Sequence, residues 1–188
     1  MNDYCIHLNL HFQPFREDVD LHNLPKNNWN LISKDLINQQ LIDFLKEKDI
    51  NISVISSFYD HYINFFSTIH IDSTQICDMS KLIWVWGEHH MMYWYRHKEH
   101  VIPNIRYKVN DTSPDLNLRH YCEADREQLD VVHSSKIEFP SLIQVGVYHR
   151  CVTFSGPRRS LTMVLEDSKG NAIPMSAATS IFQSYIKE

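Results

Sequence analysis

Long apolar runs are missing from this sequence. The longest are a few residues and are broken by Asn, Asp, Lys and His, so no segment could span a bilayer as a helix. An excess of basic residues is also missing. Eighteen Lys and Arg stand against 23 Asp and Glu, a formal charge of −5, which argues against a general polyanion binder and gives no indication of nucleic acid as a partner. The four cysteines, Cys5, Cys77, Cys122 and Cys151, include no C-x-x-C pair, and no N-terminal apolar stretch resembles a signal peptide. Free thiols and a cytoplasmic location are therefore expected. There is no internal repeat and no low-complexity tract.

What is present is enough apolar residue, 43% of 188, to bury one core. The expectation is a single domain over 1–188, with a strand and helix in about 1–50, a β-rich core in about 51–166 and an extension over 167–188. Tyr4, Ile6, Leu8 and Leu10 alternate with Cys5, His7, Asn9 and His11, the period of a half-buried strand. Leu36, Ile37, Leu41, Ile42, Phe44 and Leu45 recur at helical spacing, with Ser33 placed to cap the first turn. From Ile50 onward, β-branched and aromatic residues fill short runs: Ile52–Phe58, Phe65–Ile71, Lys81–Trp86, Met91–Tyr95, Leu142–Thr153 and Ser160–Leu165. Asn110–Leu118 and Ser168–Met175 read as loops. The fold class is mainly β with a flanking helix (α+β), as an antiparallel sandwich or barrel.

Two segments carry chemistry. In Ser67-Thr68-Ile69-His70-Ile71-Asp72-Ser73, strand alternation points the imidazole of His70 and the carboxylate of Asp72 to one face. Such a pair supplies two ligands of a two-His-one-carboxylate triad, which holds iron(II) and leaves coordination positions open. In the second segment, Ile143, Val145, Val147 and His149 share a face, which makes His149 an interior imidazole. Phe154-Ser155-Gly156-Pro157-Arg158-Arg159-Ser160 follows as a turn into a new strand, and a hairpin there would return the arginines to His149. Each segment alone fits a solvated strand face or a core histidine.

Together, His-x-Asp, a distant His and an Arg-x-Ser about ten residues further on resemble the iron(II)- and 2-oxoglutarate-dependent oxygenases. The similarity is to small prolyl- or aspartyl-hydroxylase-like members, including viral ones, and runs from about Ile52 to Leu165. The resemblance implies a double-stranded β-helix, the jelly-roll barrel shared with cupins. It implies His70, Asp72 and His149 as ligands of Fe(II), and 2-oxoglutarate as cosubstrate with O2. The activity it implies is hydroxylation of an unactivated C–H bond, releasing succinate and CO2, with a peptidyl residue such as proline first among substrates.

A buried carboxylate needs a fixed partner, and a guanidinium fork supplies one. Arg158 shares a comparatively polar face with Ser160 and Thr162, and the Arg-x-Ser pattern favours it; Arg159 shares a face with Leu161, Met163 and Leu165 and is the alternative. His89, His90, His97 and His100 fall in an expected connection and read as solvated surface. Trp84, Trp86, Tyr93, Trp94 and Tyr95 read as core, with Tyr93 or Tyr95 as possible donors to the cosubstrate. Cys151, on the face of His149, reads as a small core residue. Two other function classes use the same barrel: a non-oxidative cupin-like protein that binds a metal or small molecule, and a degenerate member kept as a binding or structural module.

Overall fold

A computed structural model describes residues 4–26, 29–60, 65–102, 104–109 and 120–188. Its strands, in chain order, are β1 (Cys5–His7), β2 (Asn30–Leu31), β3 (Asn51–Asp60), β4 (Phe65–Phe66), β5 (His70–Ile71), β6 (Ser80–Trp86), β7 (His89–His97), β8 (Ile105–Val109), β9 (His120–Ala124), β10 (Leu129–Ser135), β11 (Ser141–Gln144), β12 (His149–Ser155) and β13 (Arg158–Glu166). Helix α1 (Gln39–Lys46) lies between β2 and β3, and α2 (Met175–Ile181) follows β13. The expected loop at Asn110–Leu118 lies outside the described residues.

The strands form two antiparallel sheets. One has the order β1-β11-β6-β13-β3-β2, the other β10-β7-β12-β5-β9-β8, with β4 also paired to β12. Strand β13 is the spine of the first sheet, pairing with β3 from Arg158↔Asp60 to Glu166↔Asn51 and with β6 from Arg159↔Trp86 to Val164↔Lys81. Alternation sorts its side chains. Leu161, Met163 and Leu165 face outward, where Leu41, Leu45, Phe44 and, from beyond β13, Phe182 cover them. Val164 faces inward with Ile83 and Ile143 and meets Met92 and Trp94 of the second sheet. The apolar face that Arg159 shares is therefore the outer face, under α1, and the polar face of Arg158, Ser160 and Thr162 is the interior one.

Helix α1 forms as its apolar spacing requires, with Leu41, Ile42, Phe44 and Leu45 buried. Each such side chain, fully buried, contributes about 1.5–3 kcal/mol. The helix starts later than expected. Asn38, not Ser33, caps it, its side chain accepting from the Gln40 amide; Ser33 instead precedes a separate 3-10 turn, Lys34–Leu36, and makes no side-chain cap. The C-terminal extension is an integral layer: Leu8 bridges Ile186, and Phe44 packs on Phe182 and Tyr185.

Two expectations about strands change. Leu142–Thr153 is not one strand, since β11 ends at Gln144 and β12 begins at His149 in the other sheet. Gly146 lies in the link, where an added Cβ would come within 2.4 Å of the Ile76 carbonyl oxygen and 2.5 Å of that of Cys77. Only glycine permits that approach. The Gly156-Pro157 turn likewise closes no hairpin, because β12 and β13 belong to different sheets. It carries the chain across the sandwich instead. No helix among the described residues is long and apolar enough to cross a membrane, and all four cysteines are free thiols.

Candidate metal centre and its cavity

The short strand β5 pairs with β12 so that His70 and His149 are register partners. Asp72 follows just beyond the end of β5, and its amide donates to the Val145 carbonyl at 3.1 Å, tying it to the β11–β12 link. These two tethers bring three donors together. Nε2 of His70 lies 3.1 Å from Oδ1 of Asp72, Nε2 of His149 lies 3.8 Å from the same oxygen, and all three donor atoms are within 4.8 Å of one another. Donors bound at about 2.0–2.2 Å on adjacent corners of one ion stand roughly 3 Å apart, so small side-chain movements complete the geometry.

The imidazoles are oriented for this. Nδ1 of His70 donates to the Thr68 carbonyl (2.7 Å) and Nδ1 of His149 to that of Val147 (2.9 Å). A proton held at Nδ1 leaves the Nε2 lone pair free, the arrangement found in metal-ligating histidines. Electrostatics agree. Burial, helped by the neighbouring His70, lowers the pKa of His149 to about 4, so it is a neutral donor at pH 7. Burial also pulls His70 down, but the hydrogen bond and charge of Asp72 outweigh it and leave that pKa raised. Burial pushes the Asp72 carboxyl up, yet Lys81 and the two histidines together hold it well below the ordinary range. The donor set is two imidazoles and one carboxylate. It fits a divalent ion such as iron(II).

These residues open into a cavity of about 620 Å³, part of it open solvent. Cys151 of β12 lines it, together with Arg158, Ser160 and Thr162 on the facing strand β13, so Cys151 is a half-buried cavity residue rather than a core one. Arg158 is buried, and its Nη1 donates to Oδ2 of Asp60 at 3.1 Å, an oxygen that also accepts from Thr153 Oγ1 (3.2 Å). Its Nε is buried with no hydrogen-bond partner among the described residues. Arg159 is turned away. It donates to the carbonyls of Leu24 and Pro25 and to Ser57 Oγ, and lies 4.6 Å over the Tyr59 ring.

Other expected candidates lie elsewhere. None of Trp84, Trp86, Tyr93, Trp94 and Tyr95 lines the cavity; Trp94 is wholly buried and donates to the Gln144 carbonyl at 2.8 Å. His89, His90 and His97 do not sit in a connection, since His89–His97 is strand β7, whereas His100 lies in the exposed turn that follows it, as expected. His90 in particular is buried, with Nδ1 bonded to the Gly87 carbonyl, so it is not a solvated residue. Among the described residues, only His70, Asp72 and His149 form a group able to hold an ion.

Two cavity residues escaped the sequence reading. Asp60 ends β3 directly opposite Arg158, and Lys81, only 8% exposed, places its ammonium 2.7 Å from Oδ2 of Asp72. A lysine at an apolar strand position was the available signal, because lysine is buried only when paired. Comparison with known protein families and with curated proteins finds no match to this chain.

Proposed function

We propose that this protein is an iron(II)- and 2-oxoglutarate-dependent dioxygenase that hydroxylates an unactivated C–H bond. The observation that carries the reading is one cavity lined by His70, Asp72 and His149 together with Arg158. Four residues of β12, about 13 Å of strand, separate His149 from Thr153, the residue that shares Asp60 with Arg158. A short dicarboxylate, much shorter than that stretch of backbone, would lie between the inward-reaching side chains with its keto-acid end towards His70, Asp72 and His149 and its far carboxylate towards the guanidinium. The unpartnered Nε of Arg158 is a donor suited to that carboxylate.

The fold supports the same reading. Eight of the strands divide four and four, as β11-β6-β13-β3 and β10-β7-β12-β5. That interleaving of two four-stranded sheets supports the double-stranded β-helix that the resemblance implies.

Iron(II), when bound, supplies the redox chemistry by which 2-oxoglutarate, O2 and R–H become succinate, CO2 and R–OH. The chain's own groups do the rest. The Thr68 and Val147 carbonyls hold the imidazoles with Nε2 inward, Asp72 supplies the ligating negative charge, and Arg158 aligns the cosubstrate. Ile83, Met92, Ile143 and Val145 give the cavity apolar walls that limit water. A peptidyl side chain such as that of proline is the first substrate class to screen.

The test is anaerobic titration of the purified protein with iron(II) and 2-oxoglutarate, followed by the weak visible charge-transfer band of a chelated keto acid. The band, with succinate formed on admitting O2, is expected. Iron-loaded, folded protein that shows neither overturns the reading in favour of a non-oxidative metal-binding barrel.

A further inference from the structure

The cavity carries four formal charges among its described lining residues: Asp60, Asp72, Lys81 and Arg158. They form two pairs, Arg158 with Asp60 and Lys81 with Asp72, and cancel. Ligating histidines are neutral, so a divalent ion brings the cavity to a net charge of +2. A dianion restores balance, and a dication with its chelating dianion is then the neutral guest.

The two pairs are built differently. Among the described residues Asp60 pairs with no cation but Arg158, while Asp72 divides its oxygens: Oδ1 faces both imidazoles and Oδ2 holds the Lys81 ammonium. A carboxylate whose second oxygen is taken by an ammonium presents one oxygen to an ion. That keeps a coordination position open which a two-oxygen grip would fill. Lys81 has two further N–H donors and itself lines the cavity. Trp86 is the register partner of Arg159, and Lys81 lies five positions back along β6, about 17 Å of strand. Lys81 and Arg158 therefore enter the cavity from opposite ends of the β6–β13 pair.

We infer that Lys81 is a positioning residue of this site: it restricts Asp72 to a one-oxygen ligand and supplies the cation that meets the metal-bound carboxylate of a dicarboxylate ligand. This rests on the proposed dioxygenase reading for the identity of the ligand, but not for the role of Lys81 at Asp72.

The test compares wild type, K81M and K81R, each saturated with cobalt(II), by calorimetric titration with 2-oxoglutarate and by the cobalt visible spectrum. K81M is expected to bind 2-oxoglutarate at least tenfold more weakly, with an altered cobalt spectrum, and K81R to recover most of the affinity. Affinity of K81M within twofold of wild type overturns the inference. If wild type itself binds no 2-oxoglutarate, the dioxygenase reading fails and the cobalt spectrum decides the Lys81 role: a spectrum changed in K81M supports it, and an identical one overturns it. Should K81M not fold, zinc-loaded wild type labelled at lysine Cε serves. The Lys81 resonance, assigned by its absence in K81R, must shift when 2-oxoglutarate is added, and an unmoved signal overturns the inference.

Discussion

His70 and His149 face each other as register partners of β5 and β12, with ring centroids 4.5 Å apart and both Nδ1 atoms tied to carbonyls two residues earlier in the chain. The same local device, a histidine bonded back to the chain just before its own strand, aims both Nε2 atoms at Asp72.

Removing the carboxylate should empty the site. Asp72→Ala leaves two neutral imidazoles for a dication and leaves Lys81 buried without its partner. Divalent-metal affinity should fall by a factor of about 100 or more, and stability by roughly 3 kcal/mol from the stranded ammonium. Calorimetry with cobalt(II) reads the first and urea denaturation the second. Near-native metal affinity would remove Asp72 from the ligand set.

Metal binding should depend on pH through one proton. His70 is raised above its ordinary value, chiefly because Asp72 overcomes the effect of burial, so over a wider pH range than a free imidazole it holds a proton that an incoming ion must displace. Below that pKa, affinity should drop about tenfold per pH unit; above it, affinity should level off. His149 is already neutral down to about 4 and adds no further proton in this range. Calorimetry in buffers of different ionisation enthalpy counts the protons released, and two per metal near pH 6 would contradict this assignment.

The two arginines should separate cleanly. Arg158→Ala is expected to weaken 2-oxoglutarate binding about 100-fold with metal affinity nearly unchanged. Arg159→Ala should leave cosubstrate affinity intact and lower stability by about 2 kcal/mol, through the lost bonds to Leu24, Pro25 and Ser57. The opposite pattern in the titrations would exchange their roles.

Gly146→Ala should be costly although its backbone conformation suits alanine. The new Cβ meets carbonyl oxygens of Ile76 and Cys77, which are backbone and cannot turn aside. A loss of about 1–3 kcal/mol is expected in urea denaturation, with weakened metal binding because the same link carries Val145, the anchor of Asp72. A change under about 0.5 kcal/mol would mean the link moves freely.

The grouping of His70, Asp72 and His149 was legible because His-x-Asp and an interior histidine are local patterns, and the Arg-x-Ser pattern favoured Arg158 over Arg159. Alternation could not say which face of β13 lies inside. Outer-face Leu161, Met163 and Leu165 are as apolar as any interior because α1 and the chain beyond β13 cover them, so both faces of that strand are buried and periodicity loses its meaning. The sheet change between Gln144 and His149 was hidden for a related reason. Val145 and Val147 continue the apolar alternation through a link that is not strand, and the glycine between them was the sole mark. Asp60 and Lys81 belong to pairings across 98 and 9 residues of chain, set by register and chain path rather than by any short motif.

His149 sits on one sheet and Arg158 on the other. Sheets packed face to face stand about 10 Å apart, so in the proposed reading a guest reaching from His149 to Arg158 would cross the sandwich as well as run along β12. Ile83 and Ile143 on one sheet and Met92 on the other line the cavity between those ends. The cavity is in this sense a caliper. In the proposed reading, uncharged side chains that set its jaws would select the length of the acid, and a bulkier residue at Ile83 or Met92 would retune that length while every charged group stayed in place.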